Sequence, residues 1–131
     1  KTFILNVFFT PAEMSPYIKV HDRYTYADLE RIFDETDVLI CPSVWYETFG
    51  YTVLEALSYG VPVIVSDHVG AKDIIPDKGG IIIENMDEEK LYDAIKGLTF
   101  EKLVEMNANI VKFASIMTEK NMTEEIMSQC Y

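Results

Sequence analysis

The segment Pro42-Ser43-Val44-Trp45-Tyr46-Glu47-Thr48-Phe49-Gly50 carries the residue types that can do chemistry in this chain, and it leads into a helix predicted over residues 50–59. At a helix mouth the first backbone N–H groups have no intrahelical partner and the dipole is positive, so an anion can be held there without a cationic side chain. Glu47 precedes the first turn. Glu55 lies about five residues into the helix, roughly 7–8 Å along its axis at about 1.5 Å per residue. The two carboxylates therefore bracket a cluster of amides. A ligand with a diphosphate in the middle and a hydroxyl-bearing ring on each side suits this arrangement, because carboxylates accept hydrogen bonds from paired hydroxyls. A nucleotide-diphosphate sugar has that form.

Taken singly, Glu47 reads as a solvated loop acid and Glu55 as a polar residue on an exposed helix face. Their joint register with Phe49, Gly50, Gly60 and Pro62 reverses that reading. A hydrolytic carboxylate pair is disfavoured: retaining glycosidases need their carboxyl groups about 5–5.5 Å apart, and eight residues straddling a helix start exceed that. Phe49 also reads as core packing, and Trp45 and Tyr46 either stack on a ligand or cover the end of the sheet. Lys72 is the nearby cation to consider for phosphate. His21 and His68 have no partner at metal-ligand spacing, so no metal site is expected, and His68 reads as a pocket liner at a strand end. The acidic run at 84–89 reads as a solvated helix start.

The elements that must position these residues are legible in outline. Residues 2–9 form an apolar, aromatic-rich run that reads as a buried strand, closed by the breaker-containing stretch 10–16, with a second short strand at 17–21. Thr25 with Asp28 three residues on has the form of a helix start. Leu29, Ile32 and Phe33 follow at helical spacing, with an end near Thr36. Residues 37–41 and 61–65 are unbroken apolar runs, as expected of strands buried on both faces. Between them lies the helix over 50–59, with Val53, Leu54 and Leu57 facing one way and Gly60 as its C-terminal cap. A loop with Gly70, a helical turn near 73–75, a turn at 77–80 and a strand at 81–83 come next. Asp87 caps a helix with Leu91, Ala94, Ile95 and Leu98 on one face. Thr99 starts another, with Leu103, Met106, Ile110, Phe113, Ala114 and Met117 along one stripe, and a final helix capped by Thr123 runs towards Cys130. Strands alternating with helices give an α/β class: a Rossmann-like parallel sheet of about five strands with helices on both faces.

The totals narrow the partners. A chain of 131 residues, 49% apolar and 25% charged, fits one packed domain, and no linker or repeat marks an internal boundary. The net charge of −11 opposes nucleic acid and anionic membrane surfaces, and no apolar run reaches the roughly 18 residues of a membrane span. Phosphate must then be held by backbone amides or a few placed cations. Two cysteines, Cys41 and Cys130, give neither a disulfide framework nor zinc spacing, which points to a reducing, cytoplasmic setting. A chain that begins at Lys1 reads as a piece of something longer.

The segment PSVWYETFGYTVLEALSYGVPVIVSD resembles the signature of the group 1 retaining glycosyltransferases of the GT-B fold, whose C-terminal domain carries a Glu, seven intervening residues and a second Glu. The register extends through Phe49-Gly50, Glu55-Ala56-Leu57, Gly60, Pro62 and the following apolar strand, and similarity runs more loosely from about Val20 to the C-terminus. The resemblance implies that residues 1–131 form a nucleotide-sugar donor-binding domain. Glu47 would be the catalytic acid near the reacting carbon of the sugar, the amides of Phe49, Gly50 and Tyr51 would hold the diphosphate beside Thr48, and Glu55 would take the ribose hydroxyls. It implies transfer with retention, no obligatory metal and no cofactor beyond the donor itself. It also implies an N-terminal acceptor-binding domain, absent from this chain, without which the piece should not turn over. Two departures stand out. Gly70-Ala71-Lys72-Asp73 has one Gly and a shorter acid where the family has paired glycines and a Glu, and no strand with an Arg- and Lys-bearing loop is found before Thr2. A non-catalytic interaction module of the same fold, and a GT-B phosphorylase, are the competing readings.

Overall fold

A computed structural model describes residues 3–8 and 15–116. The elements run β1 (Leu5–Phe8), β2 (Ile18–His21), a 3-10 turn (Tyr26–Asp28) continuing into α1 (Leu29–Asp34), and β3 (Leu39–Cys41). They continue as α2 (Tyr51–Ser58), β4 (Val63–Ser66), a 3-10 turn (Gly70–Ile74), β5 (Gly80–Ile83), α3 (Glu88–Lys96) and α4 (Phe100–Ile116). Among the described residues there are five strands, and all their pairings are parallel, flanked by helices, as an α/β chain requires. They form two sheets, however, and not one: β1 pairs with β2, while the second sheet has the order β3-β4-β5. The chain divides correspondingly into two compact units, Lys1–Ile32 and Phe33–Tyr131. No composition shift announces that division, because it falls inside α1 and not at a linker.

In the first unit, the expectation of a buried strand over 2–9 is corrected: β1 spans only Leu5–Phe8, and Leu5 is 46% exposed. A parallel pair without further strands covers few side chains on either face. Cross-strand contacts hold it: Phe8 is aligned with His21, whose ring stacks on it at 4.8 Å, and His21 Nε2 bonds Asn6 Oδ1 at 2.9 Å. The helix start expected at Thr25 is there. Asp28 accepts from the Thr25 backbone N–H at 2.9 Å and from its hydroxyl at 2.8 Å, and these bonds hold the Asp28 carboxyl below its ordinary pKa.

In the second unit β4 is central, and all four of its residues are buried. Ile64 packs in a cluster with Ile83 of β5, Met106 of α4 and Leu98 before α4, edged by Leu91 and Ile95 of α3. Val63 and Val65 point the opposite way by strand alternation and are equally sealed, so both faces are covered. Burying each such side chain contributes about 1.5–3 kcal/mol. β3 was expected to be buried on both faces, yet its residues are half-buried, because it is an edge strand of this sheet.

α2 buries Val53, Ala56 and Leu57, whereas Leu54, expected on the core face, is exposed. Gly60 ends α2 with a left-handed φ of 75°, and its carbonyl accepts 2.7 Å from the side-chain amide of Asn107 on α4. α3 stops at Lys96 with Gly97 as its cap, so Leu98 is buried in the link to α4 and not on the helix. Thr99 Oγ1 accepts from the Lys102 N–H at 3.2 Å, the start expected for α4. Along α4, Met106 and Ile110 are buried, Leu103 and Phe113 half-buried and Ala114 exposed. Met117 and the final helix expected from Thr123 to Cys130 lie outside the described residues.

Candidate functional site

The site is built at the carboxyl end of the second sheet, where the loop after β3 meets the loop after β4. A parallel bridge pairs Glu47 with Val69 beyond the ends of both strands. The Glu47 N–H donates to the His68 carbonyl at 3.0 Å, the Gly70 N–H to the Glu47 carbonyl at 3.1 Å, and the Ala71 N–H to the Phe49 carbonyl at 2.5 Å. Approach is close enough that a side chain at position 70 would run into the Thr48 carbonyl, so the single glycine of this loop has a structural duty.

Gly50 is the N-cap of α2, in the left-handed region at φ 90°. A Cβ there would lie 2.7 Å from Val69 Cγ1 and 3.5 Å from Glu47 Oε2, so both the backbone angle and the space call for glycine, and the Glu47 carboxylate lies close beside the helix mouth. No side chain caps this helix, and its first turn contains no acid. Its leading amides are thereby left without a side-chain acceptor. Glu47, Thr48 and Tyr51 are exposed, Phe49 is half-buried with its ring 5.2 Å from that of Tyr51, and Glu55 is half-buried on the second turn. Among the described residues neither the Glu47 nor the Glu55 carboxylate has a hydrogen-bond or ion-pair partner.

The residues singled out from sequence thus fall on one stretch, with Glu47 before the helix mouth and Glu55 past it. Trp45 and Tyr46 are 80% and 86% exposed, so they do not cover the sheet end. Lys72, considered for phosphate, donates to the Asp67 carbonyl at 2.5 Å. Cys41, closing β3, is a half-buried free thiol. Burial first, and then the negative charge of Glu47, push it above the ordinary thiol value, against a smaller opposing effect of a backbone bond at Ser43. Among the described residues there is no cluster of three or more His, Cys, Asp or Glu fit to hold a metal, and no helix is long and apolar enough to cross a membrane.

Two contacts escaped the sequence reading. The hydroxyl of Ser66, 1% exposed at the end of β4, donates to the Ser43 carbonyl at 2.6 Å. His68 Nδ1 bonds the next carbonyl, Val44, at 3.1 Å, and its ring lies 4.4 Å from that of Tyr46. Only the small polar residue closing the run Val-Ile-Val-Ser hinted at the first.

Known proteins resemble this chain over part of their length. Over 87 residues, 66% of this chain, it is 30% identical to sucrose-phosphate synthase of Spinacia oleracea, of which it spans 8%. It is 33% identical over 66 residues to spore coat protein SA of Bacillus subtilis, spanning 18% of that protein. With an uncharacterised glycosyltransferase of Methanocaldococcus jannaschii it shares 45% identity over 47 residues, 36% of this chain and 12% of that one. The chain is therefore a fraction of the length of the curated relatives it matches. Its fold matches that of Anabaena HepE, a structure in complex with UDP-glucose, with a TM-score of 0.67 at 19% identity, over 86% of this chain and 33% of HepE. Residues 9–99 match the family described as Glycosyl transferases group 1. With more than half of its length inside that match, the chain belongs to the group 1 glycosyl transferase family.

Proposed function

We propose that this chain is the donor-binding, C-terminal domain of a retaining GT-B glycosyltransferase, working in the cytoplasm on a nucleotide-diphosphate sugar. The observation that carries the reading is the start of α2: an uncapped helix mouth free of first-turn acids, with Glu47 before it and Glu55 past its first turn, neither carboxylate having a partner among the described residues. In a chain of net charge −11 this is where backbone amides can receive a diphosphate. Phe49, Gly50 and Tyr51 supply those amides next to Thr48, Glu55 takes the ribose hydroxyls, and Glu47 faces the sugar. Transfer breaks the bond between the anomeric carbon and the diphosphate oxygen and forms one to an acceptor hydroxyl, which gives up its proton to the departing diphosphate. Amides already aimed at the departing diphosphate stabilise the charge that develops there, and an acceptor domain outside this chain completes the cleft. The UDP-glucose and the UDP and glucose of the HepE structures are the kind of ligand this reading calls for.

Calorimetric titration of the full-length protein with UDP-glucose, GDP-mannose and ADP-glucose tests it. One of the three binds, and Glu55→Ala weakens that binding by about tenfold, the scale of a lost charge-assisted hydrogen bond. Failure of all three, together with indifference to Glu55→Ala, overturns the proposal.

A further inference from the structure

We infer that His68 is a positioning residue for Glu47, the side chain that orients the sugar-facing acid without touching the ligand. This rests on the nucleotide-sugar reading above and goes beyond it, since His68 belongs to a different loop from the two acids and lies 21 residues after Glu47 in sequence. Glu47 is the exposed end of a loop that begins at the edge strand β3, and an isolated loop acid samples many directions. Beside the Gly70 N–H on the Glu47 carbonyl, three contacts that restrict this stretch come from His68. Its carbonyl accepts the Glu47 N–H at 3.0 Å, fixing the backbone from which the carboxylate projects. Its Nδ1 bonds the Val44 carbonyl at 3.1 Å. Its ring lies 4.4 Å from that of Tyr46, the residue immediately before Glu47. Residues 44, 46 and 47 are thus each held by one histidine.

The chemistry of the second contact is specific. A carbonyl oxygen can only accept, so Nδ1 must carry the proton, and both the neutral Nδ1–H form and the imidazolium satisfy this. Ser66, two residues earlier and buried, donates to the Ser43 carbonyl at 2.6 Å and prepares the same loop for the histidine. Ser66 at the end of β4 and His68 in the turn that follows therefore reach consecutive carbonyls, Ser43 and Val44, of the loop after β3.

The test exploits the placement of the donor atom. In His68→Asn the side-chain amide nitrogen stands where Nδ1 stood, one bond from Cγ. In His68→Gln it stands one bond further out, and His68→Ala removes it. Amide exchange at Glu47, followed by NMR in the full-length protein, is expected to quicken about fivefold in His68→Ala and His68→Gln and to return towards wild type in His68→Asn. Equal exchange in all four proteins overturns the bracket, whatever the ligand does. The role is read by titrating UDP-glucose against UDP, or the GDP- or ADP-sugar and its diphosphate if that pair is the one bound. His68→Ala weakens the sugar nucleotide about fivefold and leaves the diphosphate unchanged, and Asn restores it. Equal loss of both ligands, or no rescue by Asn, overturns the positioning role. A wild-type protein that binds neither ligand, with the exchange pattern intact, overturns the nucleotide-sugar reading and with it the role assigned to the acid, while the bracket itself stands.

Discussion

Helices α2 and α3 are of nearly equal length, at 8 and 9 residues, and begin in opposite ways. α3 is closed at its start. The Asp87 side chain accepts from the Lys90 N–H at 2.8 Å, and Glu88 and Glu89 set two more negative charges in the first turn. α2 opens on a glycine with no cap and no acid, Glu47 preceding the helix and Glu55 lying past its first turn. In stability terms α2 is the poorer design, since a glycine in place of a side-chain cap costs roughly a few tenths of a kcal/mol and first-turn acids contribute about 0.3–1 kcal/mol each. The same omission is what leaves positive potential for an outside anion. Within one sheet, the fold thus keeps one helix start for itself and leaves another open.

Mutations can break or sharpen that contrast. The largest effect is expected for Gly50→Ala: with φ at 90° and Val69 Cγ1 2.7 Å from the new methyl, the protein should lose on the order of 2 kcal/mol in denaturant unfolding. Donor binding should fall with it, because the helix mouth must shift. Thr52→Glu, at an exposed first-turn position, gives α2 the acid that α3 already has and should weaken binding of the sugar nucleotide about tenfold, or ~1.4 kcal/mol, while raising stability slightly. Calorimetry and thermal melting together separate the two effects, and a mutant that binds normally would show that α2 does not hold the diphosphate. Asp87→Ala opens α3 instead. It should cost about 1 kcal/mol by chemical unfolding and leave donor affinity unchanged. The smallest expected effect is chemical: Glu47→Gln removes the charge that helps push the Cys41 thiol up, so alkylation at Cys41, located by peptide mass spectrometry, should quicken at a fixed mildly alkaline pH. No change in rate would place the Glu47 charge away from the end of β3.

What could be read from sequence followed from how local the determining forces are. The run Val61–Val65 announced β4 because a strand sealed on both faces must be apolar throughout, and Asp87, Thr99 and Gly60 announced helix ends because capping acts within one turn. The similar run at 37–41 promised the same burial and did not deliver it, since edge or centre is settled by strand order, which no single run encodes. The division of five strands into two sheets was hidden for the same reason. At the site, Glu47, Gly50 and Glu55 could be found because one loop and one helix carry them all. The contacts of Ser66 and His68 could not. Their partners lie 23 and 24 residues away, and the bonds are to carbonyls that every residue possesses.

The bond from Asn107 to the Gly60 carbonyl has a consequence for how the molecule can be cut or extended. α2 spans only about 12 Å at 1.5 Å per residue, too short to hold its own direction in water. A polar latch thrown from a segment 47 residues downstream fastens its far end. Shortening the protein upstream of Asn107 would therefore let the helix swing at its rear, and the disturbance would surface at the opposite tip, where no atom had been deleted.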